Sequence, residues 1–157
     1  MAKICLILHN LRSAQNVGAL FRVADAVGGV EKIYLTGYTP APVDRFGRPN
    51  KEVIKTALGA EKFVLWEKFQ SISQLTYKLK ANSYKLVAIE QSAKSVDYRK
   101  VEIKGPTAII FGNENRGVNP AILKKCDTIA EIPMRGKKES LNVAVAGGIF
   151  LFRLLSV

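Results

Sequence analysis

The stretch Thr107–Val118 has the sequence Thr-Ala-Ile-Ile-Phe-Gly-Asn-Glu-Asn-Arg-Gly-Val, an apolar run followed by a polar loop between two glycines. Four successive apolar residues, 108–111, favour a parallel strand that is covered on both faces over a strand with one wet face. Gly112 and Gly117 allow positive φ and close backbone approach, so the turn between them can point its amides at a small molecule. An ordinary strand-to-helix connection would also use such residues, and this stretch alone leaves both interpretations open.

The rest of the chain alternates between apolar runs and segments with helical spacing, which predicts an α/β fold with a parallel sheet flanked by helices. Strands are predicted at residues 4–8, 32–36, 84–90 and 128–132, with a short strand near 63–65. Helices are predicted after the polar loop 9–16, near residues 53–58, 72–79 and 121–125, and from the cap Ser140 to the end of the chain. The segment Gly37–Asn50, with three prolines, is expected to be an exposed loop.

The charge of the chain predicts a polyanionic partner. There are 24 Lys and Arg against 13 Asp and Glu, a formal net charge of +11 in 157 residues. We interpret this excess as attraction to nucleic acid, with a merely solubilising surface charge as the weaker alternative. The length is suited to one core, so we expect a single domain over residues 1–157.

A membrane or extracellular location is not expected. The longest apolar stretch, Leu141–Leu155, is interrupted by polar residues and glycines and is shorter than the roughly 20 residues that span a bilayer. The N-terminus runs directly into a short strand rather than a signal sequence. Cys5 and Cys126 form no disulfide or metal-binding pattern, which is typical of a reducing cytoplasm.

Three polar loops follow predicted strands, at Asn10–Asn16, Gly112–Gly117 and Pro133–Asn142. In open α/β sheets, ligands bind where such loops gather. With His9 as the sole histidine, we expect no metal site, and the glycine signatures of phosphate and dinucleotide binding are missing.

The helix predicted after the first loop has apolar residues at helical spacing, namely Val17, Leu20, Phe21, Ala24 and Val27. Arg22 falls opposite the middle of this stripe, so it is predicted to project away from the core. We expect Gly18, one turn earlier, to leave space beside it. From the pattern alone, a solvated arginine and a functional one are equal alternatives.

Three ordered motifs of this chain resemble those of the SpoU, or TrmH, methyltransferases of the SPOUT superfamily. The motifs are Asn10-x-Arg12-Ser13-x-x-Asn16-x-Gly18-x-x-x-Arg22, then Ile110-Phe111-Gly112-Asn113-Glu114-x-x-Gly117, then Ile132-Pro133-Met134 followed by Ser140-Leu141-Asn142-Val143. The resemblance covers essentially the whole chain. It implies an α/β domain with a deep C-terminal trefoil knot, a homodimer, S-adenosylmethionine as methyl donor, and 2′-O-methylation of a ribose in tRNA or rRNA.

The resemblance also assigns residues to roles. It implies cofactor contacts from Ile89, Gly112, Ile132, Met134, Ser140 and Leu141. It implies an essential role for Arg22, as charge stabiliser or proton acceptor, with support from Asn16, Glu114, Ser140 and Asn142. Terminal RNA-binding extensions of some relatives are not expected here, so RNA contacts are predicted on the domain itself, at Arg12, Arg45, Arg48, Lys51 and Arg116.

Two other functions remain open at this point. One is a base-modifying methyltransferase of the same superfamily, and the other is a non-catalytic RNA-binding module that has kept the fold. The terminal helix, which is apolar on nearly all sides, predicts a homodimer that buries Val143–Leu155 partly between subunits.

Overall fold

The computed structural model describes residues 2–157 and contains a seven-stranded parallel sheet with helices on both faces. The strands are β1 Ile4–His9, β2 Val30–Thr36, β3 Trp66–Phe69, β4 Lys85–Ile89, β5 Val96–Asp97, β6 Thr107–Phe111 and β7 Thr128–Glu131. Their order across the sheet is β3-β2-β1-β6-β4-β7-β5. The predicted parallel α/β fold is confirmed.

The helices are α1 Ala14–Val27, α2 Lys51–Ala57, α3 Ile72–Ala81, α4 Pro120–Leu123 and α5 Val143–Leu154, with short 3₁₀ turns at Ala60–Lys62 and Tyr98–Lys100. Ser13 caps α1 by accepting a hydrogen bond from the Asn16 amide at 3.2 Å. Asn16 therefore lies in the first turn of α1. The sequence prediction, which placed Asn16 in the preceding loop, was wrong on this point. Across residues 2–157, no helix combines the length and the hydropathy that crossing a bilayer requires.

The start of α5 corrects a second prediction. Its cap is Asn142, whose side-chain oxygen accepts hydrogen bonds from the amides of Ala144 at 2.9 Å and Val145 at 3.2 Å. Ser140 lies two residues earlier, in the loop. Both residue types cap helices well, so the sequence pattern could not choose between them.

Strand side chains alternate between two cores, which explains the continuous apolar runs. In β1, Ile4, Leu6 and Leu8 face the layer formed by α1, α2 and α5. Cys5 and Ile7 face the opposite layer, formed by α3 and α4. The helices thus bury both faces of the central strands, and the ends of these strands are left to carry polar loops.

The two edge strands depart from the prediction. The short strand expected at residues 63–65 begins later, at Trp66, as β3. Phe63 and Leu65 lie before it and are exposed at 77% and 67%. The two-residue strand β5, at the opposite edge, was not predicted. An edge strand pairs on one side and needs no apolar run, so neither segment carries the pattern of a buried strand.

Helix α5 packs on α1 through a glycine. A Cβ atom added to Gly147 would lie 2.5 Å from Leu20 Cδ2, so the absence of a side chain permits this close approach within the chain. On the other side of α5, Val145, Ile149 and Phe152 are 50%, 37% and 37% exposed. One face of the helix is therefore buried in the monomer, and an apolar face remains open.

Candidate active site

The three predicted loops meet at the carboxyl edge of the sheet. β1 and β6 are parallel neighbours, and β4 and β7 follow on the same side. The chain order reverses here, because β2 and β3 extend from β1 in the other direction. This is the kind of place where open α/β sheets bind ligands.

Asn113 organises the loop after β6. Its side-chain oxygen accepts hydrogen bonds from the amides of Asn115 at 2.9 Å and Arg116 at 2.8 Å, and its backbone exchanges two hydrogen bonds with Gly117. Its side-chain amide donates to the carbonyl of Asn10 at 2.9 Å. Because Asn113 is only 7% exposed, these bonds hold a turn of fixed shape and join it to the loop after β1.

Glu114 joins the same two loops a second time. Its carboxylate accepts hydrogen bonds from the amides of Arg12 at 3.0 Å and Ser13 at 3.1 Å, and from Nδ2 of Asn16 at 3.2 Å. Partial burial raises the pKa of this carboxyl, but hydrogen bonds from these three donors and from the amide of Glu114 itself outweigh that effect, and the pKa lies below its ordinary value. Glu114 is thus a charged acceptor at neutral pH. Asn142 extends the network by donating to Oδ1 of Asn16 at 3.0 Å.

A second carboxylate, Glu90, fixes the far end of the β6 loop. Its Oε2 accepts the amide of Val118 at 2.8 Å, and a Cβ atom at Gly117 would lie 1.9 Å from that oxygen. Gly117 has φ of +68°, which also favours glycine. The neighbouring Gln91 donates its side-chain amide to the carbonyl of Glu139 and so connects the end of β4 to the loop after β7.

The loops enclose a cavity of about 590 Å³, a size suited to a ligand of several hundred daltons. Four glutamates line it, namely Glu90, Glu114, Glu131 and Glu139. Arg116 is the one basic residue of the lining within residues 2–157. The cavity is therefore acidic, although the chain as a whole is strongly basic.

Most of the predicted site residues lie around this cavity. Its lining includes Asn16, Ile89, Gly112, Glu114, Arg116, Ile132, Met134, Ser140, Leu141 and Asn142. The structure thus brings together all the residues that the resemblance assigned to the cofactor, and all but one of those assigned to catalysis. The exception is Arg22.

Arg22 lies on the exposed side of α1, as predicted, and outside the lining of the cavity in the described chain. It is six residues after Asn16, which corresponds to about 9 Å along the helix axis. The role expected for Gly18 was wrong. A Cβ atom there would lie 2.2 Å from the carbonyl oxygen of Val53, so this glycine lets α2 approach α1 and does not clear space for Arg22.

The predicted RNA-binding residues Arg12, Arg45, Arg48 and Lys51 are exposed and lie outside the cavity, and Arg116 is exposed at its rim. Two of them are held in place by neighbours. Arg48 Nε donates to Asp44 Oδ2 at 2.7 Å, and the guanidinium carbons of Arg45 and Arg48 lie 4.8 and 5.0 Å from the ring centre of Phe46.

Sequence reasoning missed several polar residues of the site, namely Glu90, Gln91, Glu131 and Glu139, and the organising role of Asn113. Glu90 and Gln91 directly follow the apolar run of β4. The rule that polar residues at strand ends gather at one edge would have found them. Glu139 lies within the loop Pro133–Asn142 that the sequence placed at the site, but no local pattern distinguishes it from the other polar residues of that loop.

The described residues do not offer a metal-binding cluster or a reactive thiol at this site. Residues 2–157 contain no group of three or more His, Cys, Asp or Glu side chains that could hold a metal ion. Burial raises the pKa of the Cys5 thiol to about 12 and that of Cys126 to about 11, so both thiols stay protonated. What the site offers is a shaped cavity with fixed backbone donors, apolar walls and carboxylates.

A parallel α/β sheet with an acidic cavity at its carboxyl edge places the chain in the class of open α/β folds that carry a cavity at the switch point of the sheet. The chain belongs to the SpoU rRNA Methylase family, whose model matches residues 3–152. The family that the three motifs resembled is therefore confirmed.

The chain is similar to named members of this family. It is 34% identical, over 149 residues, to the 23S rRNA (guanosine-2′-O-)-methyltransferase RlmB of Ralstonia nicotianae, covering 95% of this chain and 57% of that protein. It is 35% identical over 149 residues to the tRNA (guanosine(18)-2′-O)-methyltransferase of Aquifex aeolicus, covering 95% of this chain and 67% of that protein.

Solved structures share the fold. The AdoMet-bound rRNA methyltransferase from Sinorhizobium meliloti superimposes with a TM-score of 0.84 at 27% identity, covering 96% of this chain and 55% of that one. The A. aeolicus TrmH/SpoU tRNA modifying enzyme superimposes with a TM-score of 0.85 at 31% identity, covering 99% and 75%. The chain thus spans between about half and three quarters of the length of these relatives.

Proposed function

We propose that this chain is an S-adenosylmethionine-dependent methyltransferase that modifies a ribose 2′-hydroxyl in tRNA or rRNA. The support comes from family membership, from relatives named as 2′-O-methyltransferases, and from a structural neighbour with bound AdoMet. The observation that carries the proposal for this chain is the acidic cavity in a chain whose net charge is strongly positive.

The lining of the cavity fits the proposed cofactor. S-adenosylmethionine is a net cation, since its sulfonium and ammonium groups outweigh its one carboxylate, and side chains such as those of Glu131 and Glu139 attract a cationic ligand. A nucleoside triphosphate, with its negative phosphates, would be repelled by the same groups. Ile89, Ile132, Met134 and Leu141 supply apolar walls for a purine, and the turn that begins at Gly112 supplies backbone hydrogen-bonding groups. When bound, the cofactor would supply an activated methyl group.

The protein's own part in the reaction is to position and to stabilise charge. We propose that the network of Glu114, Asn16 and Asn142 fixes the loops that orient the ribose beside the cavity. Arg22 would bind the neighbouring phosphate or stabilise the developing charge on the ribose oxygen. A guanidinium hardly ever deprotonates, so we prefer this role over proton acceptance. Ser140, at the rim, would support the cofactor and the substrate together.

The RNA surface in this proposal lies on the domain itself. Arg12, Arg45, Arg48 and Lys51 are exposed outside the acidic cavity and would contact phosphates of the polyanion. Arg116 is exposed but belongs to the lining, and it would contact a phosphate at the edge of the cavity. We also infer that residues 1–157 act as one domain in this reaction, and that the reaction takes place in the cytoplasm, where free thiols such as Cys5 and Cys126 persist.

We further propose that the working species is a homodimer. Val145, Ile149 and Phe152 form an open apolar face on α5, and a second copy of the chain would bury such a face symmetrically. Sedimentation at micromolar concentration should give twice the chain mass. A monomer with full activity would contradict this proposal.

The deep trefoil knot remains an inference from the family. Its support in this chain is that β4 lies between β6 and β7 in the sheet. In addition, the loop after β7 returns to the ends of other strands, through the bonds from Asn142 to Asn16 and from Gln91 to Glu139.

The proposed activity is tested by incubating the protein with methyl-labelled S-adenosylmethionine and bulk tRNA or rRNA, followed by alkaline hydrolysis and mass spectrometry. Methylation of the 2′-hydroxyl removes the nucleophile that alkali uses to cleave RNA, so the product should be an alkali-resistant dinucleotide. A methylated base in a fully hydrolysed mononucleotide would instead identify the base-modifying alternative. Mapping of ribose methylation in total RNA with and without the gene would then locate the nucleotide.

Cofactor binding distinguishes the proposed methyltransferase from a non-catalytic RNA-binding module that has kept the fold. Calorimetric titration with S-adenosylmethionine should give a measurable heat of binding, whereas a non-catalytic RNA-binding module should give none.

A further inference from the structure

The exposed segment after β2 contains a small, well-fixed hairpin at Val43–Pro49. These two end residues form an antiparallel bridge. Inside it, Asp44 accepts hydrogen bonds from the amides of Phe46 at 2.8 Å and Arg48 at 2.9 Å through one carboxylate oxygen, and binds Arg48 Nε through the other. Gly47, with φ of +76°, donates its amide to the carbonyl of Asp44 at 3.0 Å. The tip of the hairpin is therefore built to present its side chains in one arrangement.

The side chain at the tip is an aromatic ring among cations. Phe46 is 67% exposed, and the guanidinium carbons of Arg45 and Arg48 lie 4.8 and 5.0 Å from its ring centre. The Asp44 carboxylate is occupied inside the turn by its three hydrogen bonds, so the charge offered to a partner is positive. An exposed aromatic ring flanked by arginines is the combination with which proteins bind unpaired nucleotides.

The hairpin is connected to the rim of the cavity. Tyr38, at the start of the same segment, accepts a hydrogen bond on its hydroxyl oxygen from Asn113 Nδ2 at 3.0 Å, and its amide donates to Asn10 Oδ1 at 3.3 Å. At the other end, the Asn50 amide donates to the carbonyl of Pro42 at 2.8 Å. The segment therefore begins at the loops that form the site and is closed at its base.

We propose that Phe46 is a stacking platform for an unpaired nucleobase of the RNA substrate, with Arg45 and Arg48 binding the phosphates beside that nucleotide. This inference rests on the proposed function and adds to it: the substrate must offer a single-stranded nucleotide near the modified ribose. The two arginines and the occupied carboxylate favour RNA over a protein partner, since RNA presents phosphates beside every base.

The test compares Phe46→Ala with Phe63→Ala, because Phe63 is also exposed, at 77%, and lies before the edge strand β3. Binding to a fluorescein-labelled 12-nucleotide single-stranded RNA and to a 12-base-pair RNA duplex is measured by anisotropy. Phe46→Ala should bind the single strand about tenfold more weakly than wild type, the effect of losing one stacked base, and the duplex with unchanged affinity. Phe46→Tyr should retain most of the affinity, since it keeps the ring face. Phe63→Ala should match wild type on both RNAs.

Other outcomes separate this inference from the proposed function. If wild type binds the single strand and Phe46→Ala binds it equally well, the platform is refuted while RNA binding stands. Equal losses on single strand and duplex would also refute stacking. If wild type binds neither RNA, the RNA part of the proposed function fails, and this inference fails with it. Melting temperatures of all variants should agree, because both rings are exposed.

Discussion

Replacement of Glu114 by alanine should loosen the loops around the cavity and destabilise the fold by a measurable amount. The carboxylate is the common acceptor for the amides of Arg12 and Ser13 and for Nδ2 of Asn16. Alanine removes the acceptor and leaves three donors. These donors sit on the loop after β1 and the first turn of α1, so the change acts on one side of the cavity and leaves both cores intact.

The magnitude follows from the environment of the donors. A hydrogen bond to a charged group contributes about 1.5–3 kcal/mol. The bond from Arg12 is exposed, so water replaces the carboxylate there at little cost, while those from Ser13 and Asn16 are partly buried. Discounting the latter for partial exposure gives a total loss of about 2 kcal/mol. For a chain of this size, that loss lowers the melting temperature by about 4–8 °C.

Urea denaturation followed by the fluorescence of Trp66, the sole tryptophan, measures the loss. Glu102→Ala is the control, because the carboxylate of Glu102 forms a single exposed ion pair with Lys104 at 3.5 Å and its removal should change stability by less than about 0.5 kcal/mol. Hydrogen exchange should also show faster exchange at the amides of Arg12 and Ser13. If Glu114→Ala unfolds at the same urea concentration as the control, or these amides keep their protection, the network does not hold the loops.

Three further outcomes follow from the same geometry. Arg22→Ala should cut single-turnover methylation at least about a hundredfold with an unchanged melting temperature, and Arg22→Lys should restore it only in part; normal turnover would refute the assigned role. Gly112→Val should abolish S-adenosylmethionine binding in calorimetry, since its Cβ would lie 2.5 Å from the Gly117 carbonyl; unchanged affinity in a folded variant would remove this loop from the site. The stability of wild type relative to Glu114→Gln should be constant above about pH 5 and fall below it, because the folded-state pKa of Glu114 is lowered and its contribution is lost as pH falls through that value; a constant difference down to pH 3 would contradict this.

The sequence predicted the central strands well because their burial leaves a local pattern. The runs Leu86–Ile89 and Ala108–Phe111 are apolar throughout, and helices do cover both of their faces. The position of the cavity also followed from sequence, since polar residues directly after such runs gather at one edge. The identity of the lining beyond the β6 loop came from the family motifs and not from periodicity.

Features that depend on distant neighbours could not be predicted in this way. A glycine is needed at position 18 because α2 packs closely against it. Since α2 begins 33 residues further along the chain, at Lys51, no local sequence pattern predicts that contact. Glu90 is placed by its bond to Val118, 28 residues away. The two-residue strand β5 is too short to have a period at all.

The edges of the sheet determine how the protein can associate with itself. β3 has four residues, including the charged Glu67 and Lys68, and β5 has two, one of which is Asp97. Short, charged edges offer a poor template for strand addition, so two copies of the chain have little means of joining sheet to sheet. The proposed dimer would then use the open face of α5, and a symmetric contact of this kind closes at two copies instead of growing into a fibre. The short, charged edges of the sheet would thus protect a chain with an exposed apolar helix from open-ended assembly.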